Sequence, residues 1–384
     1  MAVQAPRKRL GLLNRYNDPI QVILYLLGGA LLVAILFISI NNVAQGNYTV
    51  RNFLQDLIFG IAQGSIYALI ALGYTLVYGV LLMINFAHSE VFMAGAFIGF
   101  FAIYAMDQSG FLMAYTAVAL LIVLVVGMAA STVTGVIVER VAYRPLRKAP
   151  RLVPLITAIG ASITLQQLFL LLFGGATRSY PNVSLYVLPS VFRLDCTVTD
   201  GVETCLGLDL IGKTYDVTVF GMQLFVRPLY LIILVIALVL MAALWFIVQR
   251  TKVGRAMRSV AEDKDTASLM GVNVDRVIVI TFVLGAALAG AAGVMFALYN
   301  RQVTAFMGFL PGIKAFTAAV FGGIGNIPGA MAGGLMIGIL ESVMPSLLGL
   351  PIQLKDVVVF GILVLILIFR PSGIFGEVLA KKKV

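Results

Sequence analysis

Charge is what this sequence has least of. Only 11% of its 384 residues are Asp, Glu, Lys or Arg, against about 25% in an ordinary soluble domain. A surface this poor in charge cannot face water on every side, which excludes a soluble globular enzyme. Histidine occurs once, at His88, so a two-histidine zinc site is excluded and no Ser-His-Asp set finds suitable neighbours. Cysteine occurs twice. Disorder is excluded from the other side, because 61% of the chain is apolar and a disordered chain tolerates far less. What is abundant, besides apolar residues, is glycine, at 38 residues. Small residues let apolar helices approach closely in a membrane. The net charge of +10 then fits the basic inner loops of a membrane protein better than a nucleic-acid partner.

Crossing ~30 Å of hydrocarbon takes about 20 apolar residues. Ten runs qualify or nearly do so: 20–40, 54–81, 86–106, 112–138, 153–174, 228–248, 276–298, 310–325, 329–348 and 354–370. The fold class predicted is an all-α, polytopic transmembrane helix bundle. Its membrane domain covers 20–370, between a cytoplasmic N-terminal segment, 1–19, and a cytoplasmic tail, 371–384. The first run follows Arg7, Lys8, Arg9 and Arg15 as a signal peptide would, but it is too long for a signal core and no A-x-A site follows, so it counts as a span. With the N-terminus inside, 19 of the 27 Lys and Arg residues fall on inner segments, as the positive-inside rule requires. Ten spans also bring Lys381-Lys382-Lys383 inside. The eighth run is short and bounded by glycine, and reads as a broken or partly buried helix.

Two loops are long. The outer loop, 175–227, holds five acids against four bases. The alternation in Tyr215–Phe220 predicts a short strand. Both cysteines, Cys196 and Cys205, lie in this loop, where an oxidising compartment would let them pair. Gly207 to Thr214 matches the phosphate-loop pattern G-x-x-x-x-G-K-[ST]. That pattern has meaning only between a strand and a helix. Here the following residues are extended and the loop lies outside, so it is read as a polar turn. Asn47-Tyr-Thr49 and Asn182-Val-Ser184 fit the glycosylation pattern. The inner loop, 249–275, is predicted to hold one short helix from about Arg258 to Met270, with Gly271 as its C-cap.

Ionisable groups within the spans are few: Glu90 and Glu341, and near the span ends Asp56, Lys314, Lys355 and Asp356. An intramembrane charge marks a functional position by default. Two readings stand for Asn85, His88 and Glu90. In one, Ser89 or Asn85 caps the third span and Glu90 suits its positive end. In the other, they form a polar break lining a passage, together with Tyr67 of the second span. Glycines recur every four residues at Gly60 and Gly64, Gly95 and Gly99, Gly285 and Gly293 around Ala289, and Gly325, Gly329 and Gly333. Each set predicts a smooth packing stripe on one helix face.

Several stretches carry a resemblance. They are Gly64–Gly79, Met83-Ile84-Asn85-Phe86-Ala87-His88, Ala261-Glu262-Asp263 with Ala267–Gly271 and Asp275-Arg276, Gly312–Phe316, and Gly322–Ala330. Over most of 54–375 the chain resembles the LivH-type permeases of branched-chain amino acid ABC importers. That resemblance implies a non-enzymatic permease subunit of the bacterial cytoplasmic membrane. It also implies a second, LivM-like permease, two cytosolic ATPases and an outer substrate-binding protein as partners. This chain would bind no cofactor, with ATP and Mg held by the partner subunits. Glu262, Ala267 and Gly271, with Gly254, Arg258 and Asp263 around them, look like the loop by which such permeases grip their ATPases. Urea and short-amide importers share this permease type and stay open as alternatives. An ion-coupled secondary transporter is a third, which would need paired intramembrane acids.

Overall fold

The computed structural model describes residues 19–147, 149–150, 152–181, 183–184, 186–187, 196–199, 202–205, 208–219, 221–369 and 373. The cytoplasmic segments expected before Pro19 and after residue 370 lie outside the described residues, apart from Gly373.

Ten apolar helices coincide with the ten runs: α1 (Pro19–Ala44), α2 (Val50–Leu81), α3 (His88–Gln108), α5 (Thr116–Val138), α6 (Leu152–Phe173), α7 (Pro228–Arg250), α10 (Val274–Asn300), α11 (Phe309–Gly322), α12 (Ile327–Leu347) and α13 (Lys355–Phe369). Eight are long and apolar enough to cross a membrane, while α11 has 14 residues, about 21 Å at 1.5 Å per residue. Among the described residues, six shorter elements complete the helices: α4 (Phe111–Ala114), α8 (Lys252–Glu262), α9 (Lys264–Leu269), a π-helical turn over Glu139–Tyr143, and 3-10 turns over Arg144–Leu146 and Ile352–Leu354. The protein is a polytopic helix bundle.

The bundle is organised around α2, which packs against α12, α10, α11 and α7. Thr49 starts α2, its side chain accepting from the Asn52 amide, and the helix stops where Leu82 turns left-handed at φ 58°. Missing side chains set its closest contacts. A Cβ on Gly60 would lie 2.7 Å from the Cα of Ile339, and one on Gly64 would lie 2.8 Å from the Leu335 carbonyl oxygen. The same device joins α3 to α10, where a Cβ on Gly95 would lie 2.7 Å from the Cα of Gly290. Gly285 abuts Gly73, Gly293 abuts Phe92 and Ala96, and Gly99 abuts Val294. Gly329 and Gly333 pack on α11 at Gly322 and Ala318. Gly325 departs from the expected stripe. It stands in the turn between α11 and α12 at φ +93° with nothing near it, so its role is backbone conformation.

The outward faces of α1, α6 and α7 are apolar and exposed, for example at Leu36 and Phe37, Leu171 and Leu172, and Val239 and Phe246. This is the surface a lipid environment covers.

The outer loop contributes short antiparallel pairs: β1 (Arg178–Ser179) with β8 (Gln302–Val303), β2 (Tyr186–Val187) with β5 (Leu208–Asp209), β3 (Cys196–Thr199) with β4 (Val202–Cys205), and β6 (Tyr215–Val219) with β7 (Met222–Val226). The strand expected over Tyr215–Phe220 is β6. Its hairpin is tied to α2, where Gln55 both donates to the Phe225 carbonyl and accepts from the Phe225 amide, each at 2.8 Å. In the described part of the phosphate-loop look-alike, 208–214, strand β5 leads into a turn. The Asp209 carboxylate accepts the amides of Ile211 and Gly212 at 3.0 and 2.9 Å, and strand β6, not a helix, follows. In β3–β4, Cys196 stands directly opposite Cys205. The cysteine side chains lie outside what the structure describes, as does Asn182.

Candidate functional site: an outer cavity and an inner loop

A cavity of about 670 Å³ is bounded by α2, α7, α10, α11, α12 and α13, from Asp56 near the start of α2 down to Tyr67. Along α2 Asp56 comes first and Tyr67 lies deepest. The cavity therefore opens towards the end of the bundle that carries the outer loop.

Its floor is a charged cluster. Lys314 of α11 sits 2.8 Å from Glu341 of α12 and 2.6 Å from Asp356 of α13, while Lys355 lies 3.1 Å from Glu341. Gln63 donates to the Glu341 carboxylate at 3.0 Å and lies 2.6 Å from the Tyr67 hydroxyl. The Lys314 ammonium stands 5.9 Å from the centre of the Tyr67 ring. The side chains of Glu341 and Lys314 are 1% and 4% exposed. A charge so deep is tolerated only when paired and hydrogen-bonded. Glu341 Oε1 receives Lys314, Lys355 and Gln63, whereas the buried Oε2 accepts no well-formed hydrogen bond among the described residues. Pro345, inside α12, has no N–H to give the carbonyl four residues back, which is that of Glu341.

Two turns deeper on α2, aromatic rings pack beneath the cavity. Tyr74 meets His88 at 4.9 Å and Phe316 at 5.8 Å, and Phe316 meets Phe86 at 5.7 Å between ring centres. Among the sequence-derived pathway residues, Tyr67 lines the cavity. Asn85, His88 and Glu90 lie beneath it, in and behind the aromatic layer. Asn85 accepts from the Tyr143 hydroxyl at 2.9 Å. Glu90 is buried with the hydroxyls of Ser162 and Ser89 at 3.3 and 3.4 Å. The expected capping by Ser89 or Asn85 does not occur. Ala87 occupies the cap position without a side-chain bond, and Ser89 donates to the Phe86 carbonyl at 2.8 Å.

On the inner side the loop forms two helices, not the single one expected over 258–270. Thr251 caps α8 by accepting the Gly254 amide at 3.2 Å. A side chain at 254 would overlap the Ile247 and Val248 carbonyls. Arg258 ties α8 back by donating to the Val248 carbonyl. The break falls at Asp263, whose extended backbone lets its carboxylate accept the amides of Asp265 and Thr266 at 2.9 and 3.1 Å. Those bonds start α9 just after Glu262. Ala267 is buried, and Gly271 turns the chain at φ +82°. Between them Leu269 and Met270 stand 85% and 81% exposed. Lys264 donates to the Leu81 carbonyl at 3.2 Å. Desolvation first, and the nearby Arg147 second, lower its pKa, with Asp265 acting in the opposite sense. Arg147 also bridges buried Glu139 to Asp275 at the start of α10.

The signal that was available for the floor was each charge taken singly. Their convergence was not, because Lys314 and Glu341 are 27 residues apart on different helices.

The family described as branched-chain amino acid transport system, permease component, matches residues 57–367. The high-affinity branched-chain amino acid transport system permease protein BraD of Pseudomonas aeruginosa is 41% identical over 332 residues, covering 85% of this chain and 97% of that one. LivH of Escherichia coli K12, which carries the same description, is 41% identical over 327 residues, covering 85% and 96%. A weaker likeness, 31% over 196 residues, links the chain to the ribose import permease protein RbsC of Bacillus subtilis. No solved structure matches.

Proposed function

The chain belongs to the branched-chain amino acid transport system permease family, and from that premise we propose that it is one membrane-spanning subunit of a bacterial ABC importer. It passes branched-chain or related amino acids inward across the cytoplasmic membrane. A second permease, two cytosolic ATPases holding ATP and Mg, and an outer substrate-binding protein complete the assembly.

The observation that carries the reading is the inner loop. A short helix started by Asp263 and ended at Gly271 holds Leu269 and Met270 clear of the bundle. Exposed apolar side chains on a polar inner face suit a groove on another chain. Lys264 fixes the loop to the inner end of α2, so displacement of the loop by an ATPase is felt by the helix that lines the cavity. Nucleotide energy can shift a conformational equilibrium only through such differential contacts.

The buried acids and lysines of the cavity floor favour a second reading, an ion-coupled carrier. Uptake into vesicles containing the purified complex separates the two. ATP inside, with the binding protein outside, is expected to drive leucine accumulation. Accumulation on an imposed ion gradient alone would overturn the importer reading.

A further inference from the structure

We infer that the floor of the outer cavity is a zwitterion site: Glu341 receives the ammonium group of an α-amino acid, Lys355 its carboxylate, and the apolar wall its side chain. The inference rests on the substrate class proposed above and places that substrate inside this subunit.

Four observations carry it. Glu341 Oε2 is buried at the cavity floor and accepts no well-formed hydrogen bond among the described residues, although the Tyr67 hydroxyl lies beside this carboxylate, and a carboxylate oxygen out of water demands one. An ammonium group brings three donors and a positive charge to that oxygen. The second observation is the balance of charge. Lys314, Lys355, Glu341 and Asp356 together are neutral when ionised, so the floor holds no net charge to trap a plain cation or anion. A dipolar ion meets both signs at once. Third, the cations are unequally occupied. Lys314 is committed to Glu341 and Asp356, whereas Lys355 makes one ion pair, at 3.1 Å, and its side chain is 37% exposed. Lys355 is the cation free to turn to an incoming carboxylate. Fourth, Phe59, Phe296, Phe306 and Leu310 supply apolar wall above the charges, and the volume lies within the ~300–1,000 Å³ usual for small-molecule pockets. A urea or short amide has no use for the paired charges.

The test uses the purified whole complex in lipid nanodiscs, without the binding protein, and reads ligand contact by saturation-transfer NMR. The probes are leucine, 4-methylpentanoate, which lacks the ammonium, and 3-methylbutan-1-amine, which lacks the carboxylate. Leucine is expected to bind, and each analogue at least about tenfold more weakly, as loss of one charge-assisted hydrogen bond implies. Glu341→Gln, which leaves Lys314 paired with Asp356, should lose leucine by a similar factor. If that variant does not assemble, Lys355→Gln at the wetter edge decides, with the same expected loss. Equal binding of leucine and both analogues overturns the inference, as does leucine binding by an assembled variant within twofold of the unaltered complex. No leucine signal, in a complex whose vesicles take up leucine with ATP, overturns this inference alone. Vesicles that take up no branched-chain amino acid with ATP overturn the proposed function itself.

Discussion

The imidazole of His88 on α3 fills the space that the missing side chain of Gly73 leaves on α2, so closely that a methyl group at 73 would overlap the ring. Forcing extra volume into a packed core costs about 1–3 kcal/mol. Gly73→Ala is therefore expected to lower the thermal midpoint of the purified complex. His88→Ala in the same chain should return part of that loss, because it clears the overlap. A double-mutant cycle reads the coupling. Strict additivity of the two changes would show that the ring and the glycine do not meet.

Arg147 is the partner on which buried Glu139 depends. Removing one member of a buried pair costs about 3–5 kcal/mol, because the other is left uncompensated. Arg147→Ala should cut the yield of folded protein in membranes. Adding Glu139→Gln should restore much of it, since a neutral amide no longer demands a cation. Equal yields for the single and double variants would count against the pair as a structural element.

Gly271 closes α9 in the left-handed region, where a side chain costs about 1–2 kcal/mol. Gly271→Val is expected to leave insertion intact while lowering ATPase co-purification and uptake. Leu269→Asp should do the same without touching the turn. Normal co-purification of both variants would remove the loop from the proposed interface.

Cys196 and Cys205 occupy opposed positions in the β3–β4 register. Directly opposed residues of an antiparallel pair have Cα atoms about 4.5–5.5 Å apart, inside the range a disulfide spans. The bond should be present, and closing so short a loop contributes about 2–3 kcal/mol in the chain-entropy model. Peptide mass measurement without reductant is expected to find the linked pair, and two free thiols would dismiss it.

The sequence gives up its helices readily and its meeting points poorly, for a physical reason. Hydropathy is a property of consecutive residues, so all ten apolar runs reappear as helices. A single helix over 258–270 hides the break at Asp263, although an Asp there, able to accept the amides two and three residues on, is a cap signal. Spacing alone puts Gly325 on a stripe, because a four-residue spacing runs unbroken through a turn. Tyr67 could be picked as a polar group in an apolar span. Its neighbours Lys314 and Glu341 gave no sign of meeting, because helix packing alone brings them together. His88 stands out in the sequence for its chemistry, while its fit to Gly73 is a matter of volume that no motif records.

Helix α2 has 32 residues, about 48 Å at 1.5 Å per residue, and contains no proline at which to kink. Its outer end is pinned to the β6–β7 hairpin through Gln55 and its inner end to the α8–α9 loop through Lys264. A rod fastened at both ends conveys a push without absorbing it. Tilting the loop on one side of the membrane must swing the hairpin on the other, with no relay of side-chain rearrangements between them. Spin labels at Asn52 and Leu82 should accordingly keep one separation in every nucleotide state, and a changing distance would mean that the rod bends.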